Sequence, residues 1–212
     1  MSKPRKVAER PLPDRLIDAA EQLFGEHGVD GVSLRQICSA AGTANNYAVQ
    51  YHFEDLLGLI RAISKKRMPE IEAHRAQLLM QAKAEGKLAD IRTLLEIIHR
   101  PLMEHANSQG ERAYARFILA ALHSSVAQNV TSTDLFESMP IAVHVMELIA
   151  ELQTNLSPAL LSERQRLISL LLLNSVFTRF TQPDNLFSDE ALFDNALDMA
   201  AVALTAMPSN PS

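Results

Sequence analysis

The segment AGTANNYAVQYHFEDLLGL, residues 41–59, crowds Asn45, Asn46, Tyr47, Gln50, Tyr51 and His52 into a stretch that otherwise scans as helix. Side-chain amides donate and accept at once, so Asn and Gln can pair bidentately with the adenine edge in a major groove. Tyrosine hydroxyls and helix N-terminal amides can bond phosphates, and Ala48 could meet a thymine methyl. Val49 and Phe53, four residues apart, leave this helix one narrow edge to bury. A helix anchored by two apolar residues and presenting amides and phenols is better suited to reading duplex DNA than to packing.

Other chemistry is sparse. Glu96-Ile97-Ile98-His99 has the Glu-x-x-His step that holds two irons in some four-helix bundles, but those bundles need two copies and this chain has one. There is no Gly-rich phosphate loop, no HExxH and no nucleophile elbow. Cys38 is the only cysteine, which excludes intramolecular disulfides and cysteine zinc sites and fits a small buried residue in a reducing compartment. No catalytic residue, metal or cofactor is therefore expected.

The elements that must position the polar segment are helical throughout. Apolar residues recur at helical spacing and no alternating run is bounded by hairpin turns, so the fold class is all-α. Helices are expected near 13–27, 33–40, 46–52, 55–82, 88–107, 111–128, 134–154, 158–180 and 189–206. Leu16, Ala19, Ala20, Leu23 and Phe24 form one stripe on the first. Gly28 suits its end, and Ser33 with Gln36 has the spacing of a capping box that starts the second, whose Ile37 joins the same small core. The division this suggests is 1–55, a basic arm and helix-turn-helix, and 56–212, a helical remainder. Pro69, inside the fourth helix, predicts a kink or break near 65–69.

Net charge is −5, unevenly spread: residues 1–70 hold ten Lys/Arg against nine Asp/Glu, the remainder ten against sixteen. A polyanion therefore has one plausible face, in the N-terminal third. The opening residues, with Lys3, Arg5, Lys6 and Arg10, have no apolar run behind them and fit neither a secretory signal nor a membrane anchor, so a cytoplasmic location is expected.

Phe24, Gly28, Ser33-Leu34-Arg35-Gln36-Ile37, Ala41-Gly42 and Tyr51-His52-Phe53 together resemble the N-terminal helix-turn-helix of the tetracycline-repressor (TetR) family of bacterial transcriptional regulators. The specific resemblance covers roughly residues 14–60. It implies a homodimer, reading of a double-stranded operator by the third helix, and a divergent C-terminal domain that binds a small-molecule effector. On that basis Ser33, Arg35, Asn45, Asn46, Tyr47, Gln50, Tyr51 and His52 are the expected DNA-binding residues. The sequence departs from the family pattern twice. TANNYAVQYHF has eleven residues after Ala-Gly where ten are common, so Asn45 or Asn46 is expected to cap the helix. Leu56, beside Glu54 and Asp55, stands where many members place a phosphate-binding lysine. Phosphate affinity then leans on Arg35, the basic arm and helix N-termini.

In the remainder, LISLLLLNSVFTRF (167–180) is apolar around most of its circumference yet too short and interrupted to span a bilayer. A second buried face implies a partner. Ala196, Ala200, Ala201 and Ala203 on the last helix permit close approach, and the family's dimers use the last two helices, placing a homodimer interface at about 158–206. Between this interface and the polar third helix, Tyr114, Phe117, Ile118, Ala121, Leu122 and Ser125 form a stripe facing Met103, Met139, Val143 and Met146. With His99, His123 and His144 scattered nearby, the segment suits a mostly apolar effector with one or two polar anchors. The expected ligand-binding residues are His99, Met103, Tyr114, Phe117, Ala121, Met139, Val143 and Met146. The alternative function is a helical interaction module, or a small-molecule-binding protein, without DNA binding.

Overall fold

The computed structural model describes residues 10–107, 110–127, 137–177 and 187–207, which carry nine named α-helices and no strand. Pro11 and Pro13 open α1 (Leu12–His27), where a missing amide hydrogen costs nothing, and Gly28, at φ +77°, ends it. The helices α2 (Leu34–Ala40) and α3 (Ala48–Phe53) follow as short pieces. Leu16, Ala20, Phe24, Ile37 and Val49 are fully buried together, with Leu59 and Ile63 of α4 (Leu56–Ala84) closing the cluster.

Pro69 does not break α4, which runs unbroken across it. The proline removes one backbone donor. It is exposed, so water can satisfy the carbonyl left over. Salt bridges fasten α4 to α1: Arg67 bonds Glu21 at 2.6 Å and Asp18 at 3.0 Å, and Lys66 bonds Asp18 at 2.7 Å. Burial pushes the Glu21 carboxyl above its ordinary range in spite of Arg67. For Asp18, burial acts the same way but is outweighed by the Lys66 hydrogen bond and by the charges of Lys66, Arg67 and Arg10, which hold its carboxyl low.

The remaining helices are α5 (Ile91–Glu104), α6 (Ala113–His123), α7 (Pro140–Leu152), α8 (Pro158–Phe177) and α9 (Asp189–Thr205). Asp90 caps α5, so that helix begins three residues later than expected, and α6 ends at His123 rather than reaching 128. A second core lies among α5, α7, α8 and α9, and Ile118 of α6 packs against both clusters. Ala196 and Ala200 are buried against α8 within the chain. Leu167 (51% exposed), Met199 (54%) and Val202 (70%) stay outside. The expected residues 178–180 and 134–136 lie outside the described part. No helix among the described residues is long and apolar enough to cross a membrane.

Candidate functional site

The polar segment is positioned from the α2 side first. Ser33 Oγ accepts the Gln36 amide hydrogen and Gln36 Oε1 accepts the Ser33 amide hydrogen at 2.8 Å, the reciprocal capping box. The same hydroxyl donates to Gln36 Oε1 at 2.7 Å, so Ser33 is committed to starting α2. The chain leaves α2 through Gly42 at φ +72°, with Thr43 N–H returning to Cys38 O and Gly42 N–H to Ser39 O. That is the six-to-one, five-to-two pairing of a helix C-terminus, and it needs the positive φ that glycine takes without a steric penalty. Cys38 is fully buried, as its expected role requires.

Asn45 accepts the Tyr47 amide hydrogen at 3.0 Å and so closes an Asx turn one step before the helix. Neither Asn45 nor Asn46 caps α3; Tyr47 holds that position without a side-chain cap. The extra residue is absorbed in the turn, and α3 starts two residues later than expected. Tyr47 is 74% exposed and Tyr51 82%, while Asn45, Asn46, Gln50 and His52 are exposed as well. Tyr47, Gln50 and Tyr51 fall at i, i+3 and i+4, on one face. The His52 ring meets Tyr51 edge-on, 4.9 Å between centroids. Ala48 is 1% exposed and belongs to the core with Val49, so it is not available to a thymine methyl.

A tight joint fixes this surface to α4. Glu54 takes φ +71° and ψ −55°, and Asp55 N–H bonds back to Phe53 O at 2.8 Å across it, a γ-turn. Asp55 then caps α4 by accepting the Gly58 amide hydrogen at 2.7 Å. A Cβ on Gly58 would sit 1.9 Å from the Phe53 carbonyl oxygen, so no larger residue fits while α3 ends where it does. Arg35 is exposed on α2. Arg10 pairs with Asp18, and Lys3, Arg5 and Lys6 lie outside the described residues.

Among the described residues, a predominantly apolar cavity of about 540 Å³ is walled by α4, α5, α6 and α8 and by Met139 before α7. Its polar side chains include Ser64, Arg75, His99, Tyr114, Arg166 and Ser169. Arg75 is buried; Nη1 donates to Glu72 at 2.8 Å, and Nε and Nη2 donate to Ile98 O at 3.0 and 2.7 Å. The other Glu72 oxygen accepts the Ile141 amide hydrogen at the start of α7. His99 Nδ1 lies 2.9 Å from Leu95 O, which can only accept, so Nδ1 carries the proton. Its Nε2, 3.1 Å from Ser169 Oγ, is then an acceptor in the neutral ring. Burial pushes the His99 pKa down to about 4, which keeps that ring neutral at pH 7. Tyr114 is 1% exposed, and its hydroxyl finds no hydrogen bond of normal geometry among the described residues. Burial raises its ionisation far above the ordinary phenol range, against a smaller opposing effect of the Ser64 hydroxyl.

Residues 16–63 match the family model described as bacterial regulatory proteins, tetR family. This is a TetR-family domain. Solved structures extend the likeness in fold over nearly the whole chain. PfmR, a TetR family transcriptional regulator from Thermus thermophilus, is 17% identical, with 93% of this chain and 97% of that one covered at a TM-score of 0.52. NalD, the secondary repressor of the MexAB-OprM multidrug efflux pump in Pseudomonas aeruginosa, is 20% identical over 89% and 94%, at 0.51. SmeT, the repressor of the Stenotrophomonas maltophilia multidrug efflux pump SmeDEF, is 19% identical over 92% and 90%, at 0.50. No curated protein matches the chain by sequence.

The cavity gathers five of the eight expected ligand residues: His99, Tyr114, Phe117, Ala121 and Met139. Met103 is buried in the second core instead, and Val143 and Met146 are half-buried on α7 away from the cavity wall. Sequence reasoning missed the α4 wall, Ile60, Ser64, Met68 and Arg75. A signal for it exists: Met68, Ile71, Glu72 and Arg75 follow i, i+3, i+4, i+7, which places an acid and a base on the buried stripe. The Glu96-x-x-His99 step is split, because Glu96 is held by Arg92 and Arg100 on the side facing α9 while His99 turns into the cavity. Among the described residues no group of three metal-ligating side chains comes together.

Proposed function

We propose that this TetR-family protein is a sequence-specific DNA-binding transcriptional regulator, a dimer that represses from a roughly palindromic operator and is released by a small, mostly apolar effector. The observation that carries the reading is the surface of residues 45–52: three amides and two phenols projected to solvent on and just before a helix whose Ala48 and Val49 are wholly buried. Side chains so exposed are free to hydrogen-bond base edges and phosphates. Repression matches the role for which SmeT and NalD are named. The division of labour is an arm and reading head over residues 1–55 and an effector and dimerisation domain over 56–212, acting in the cytoplasm on the operator.

Support for the dimer comes from the apolar side chains left outside on α8 and α9, Leu167, Met199 and Val202. Support for an effector comes from the apolar cavity and its few polar groups. The Lys3, Arg5, Lys6 and Arg10 arm, with Arg35, would supply phosphate contacts.

The test is selection of bound duplexes from a random pool, then fluorescence anisotropy on the selected and scrambled sequences across salt. The expected result is an enriched site with two-fold symmetry, bound as a dimer, with affinity falling steeply as salt rises. Equal affinity for all sequences, or no retention on DNA at low salt, refutes the reading and leaves a helical module without DNA binding.

A further inference from the structure

The charges of the cavity wall are already balanced within the protein. Arg75, the buried cation, is matched by Glu72, and both Glu72 oxygens are taken, one by Arg75 and one by the α7 backbone. Arg166 lies at the solvent edge, 44% exposed, and is held by both oxygens of Glu163 at 2.9 and 2.6 Å. No carboxylate lines the wall among the described residues, and His99 has both ring nitrogens engaged. A cationic ligand would enter with nothing to neutralise it. An anionic ligand would compete with Glu72 for a guanidinium whose Nε, Nη1 and Nη2 already donate. Either charge would lose its hydration without compensation, at a cost of several kcal/mol per ion.

One polar group is left over. The Tyr114 hydroxyl is buried beside Ser64, with no hydrogen bond of normal geometry, among apolar residues such as Met68, Leu102 and Phe117. A buried hydroxyl in that state is a desolvated donor, and a phenol donates more strongly than it accepts. We propose, resting on the effector reading above, that the cavity selects an uncharged, largely hydrocarbon compound carrying one accepting oxygen of the carbonyl type, to which the Tyr114 hydroxyl donates.

The experiment uses the full-length protein and N-phenyl-1-naphthylamine, an uncharged fluorophore that brightens in apolar sites. Displacement is measured with methyl decanoate, decanoate and decyltrimethylammonium, which share one chain and differ in the charge of the head. The ester is expected to displace at least about tenfold more tightly than either ion, the factor that 1.4 kcal/mol gives. In Tyr114→Phe the ratio of ester to fluorophore affinity is expected to fall about fivefold or more, the worth of one hydrogen bond of about 1 kcal/mol. Equal or tighter binding of decanoate or decyltrimethylammonium, or an unchanged ratio in Tyr114→Phe, overturns the proposal. Ala121→Trp, or Ala121→Leu if the first chain does not fold, separates this failure from that of the effector reading. Filling the cavity must abolish fluorophore binding; if it does not, the cavity is not the ligand site and both readings fall.

Discussion

Replacing Gly58 by Ala tests the joint on which the whole reading head turns. In an exposed helix interior, Gly→Ala ordinarily stabilises by about 1 kcal/mol, because glycine loses more backbone freedom on folding. At Gly58 the new Cβ would lie 1.9 Å from Phe53 O and 3.0 Å from Phe53 C, both backbone atoms with no rotamer to escape into. A carbon and an oxygen in contact sit no closer than about 3.3 Å, so the end of α3 must retreat by about 1.4 Å. That retreat breaks the 2.8 Å turn hydrogen bond at Glu54 and drags Val49 and Phe53 against the packed head core. Overpacking of this kind costs about 1–3 kcal/mol or more, so Gly58→Ala is expected to destabilise, against the usual sign. Urea unfolding followed by circular dichroism at pH 7 measures it. Anisotropy on the selected operator should show at least about a tenfold loss under conditions where the variant is fully folded. The companion Glu54→Gly relieves a positive φ in a residue with a side chain, and is expected to stabilise by about 0.5–2 kcal/mol. A Gly58→Ala chain as stable as the parent, with full operator affinity, would show that α3 does not bear on α4 as described.

Four further outcomes follow from named residues. Gln50→Ala is expected to cost about 1–3 kcal/mol at the selected operator and little on scrambled duplex, compared by anisotropy; an equal loss on both makes Gln50 a backbone contact. His99 is held neutral with its pKa near 4 against an ordinary 6.5, so its stabilisation is complete above pH 6.5 and is lost as pH falls toward 4. Between pH 6.5 and 5 the parent should lose about 2 kcal/mol in urea unfolding that His99→Gln does not lose, and parallel profiles would refute the assignment. Leu167→Glu with Val202→Glu should yield a monomer by light scattering at micromolar concentration, since both side chains project from the proposed interface; an unchanged dimer moves the interface elsewhere. Phe117→Ala, which leaves a cavity between Phe24 and Tyr114, should destabilise by about 3–5 kcal/mol, read by urea unfolding, and a loss under 1 kcal/mol would mean that α1 and α6 are not closely packed there.

Local rules were legible where the chain solves a local problem. The Ser33 and Gln36 capping box, Gly42 in the turn and the buried stripe of α1 could each be read from spacing alone, because each depends on neighbours within four or five residues. The longer turn before α3 was visible as an extra residue, but the Asx turn that absorbs it was not, since Asn45 can cap or turn with equal ease. Ala48 was misplaced because one small residue reads the same on either face until the start of α3 is known. Pro69 pointed to a kink or a break because local sterics disfavour it; the helix does not break, and Met68 and Ile71 beside it are buried in the core. The cavity was legible from α6, His99 and Met139. The α4 wall depends on Arg75 meeting Ile98 O and Glu72 meeting Ile141 N–H, contacts between segments 23 and 69 residues apart that no local pattern encodes.

How a ligand could move the reading head is decided by which of two attachments yields. The head is fastened to both walls of the cavity. On the α4 side, the Gly58 joint and the Arg67 bonds to Glu21 and Asp18 hold α3 and α1. On the α6 side, Phe24 packs on Phe117 with 6.0 Å between centroids, and Asp30 accepts hydrogen bonds from Ser124 and Ser125. A ligand that spreads α4 from α6 cannot leave α1 in register with both. Breaking the buried Glu21 pair would strand a charge at a cost of about 3–5 kcal/mol. Sliding Phe24 across Phe117 exchanges one set of apolar contacts for another, each worth only about 0.1–0.2 kcal/mol per atom pair, and Asp30 is exposed, so water can replace its hydrogen bonds. The head must therefore travel with α4 and slip against α6. Such a tilt re-aims Tyr47, Gln50 and Tyr51 while every buried charge stays paired, and it needs no more than the roughly 1–3 kcal/mol by which effector and DNA typically oppose each other.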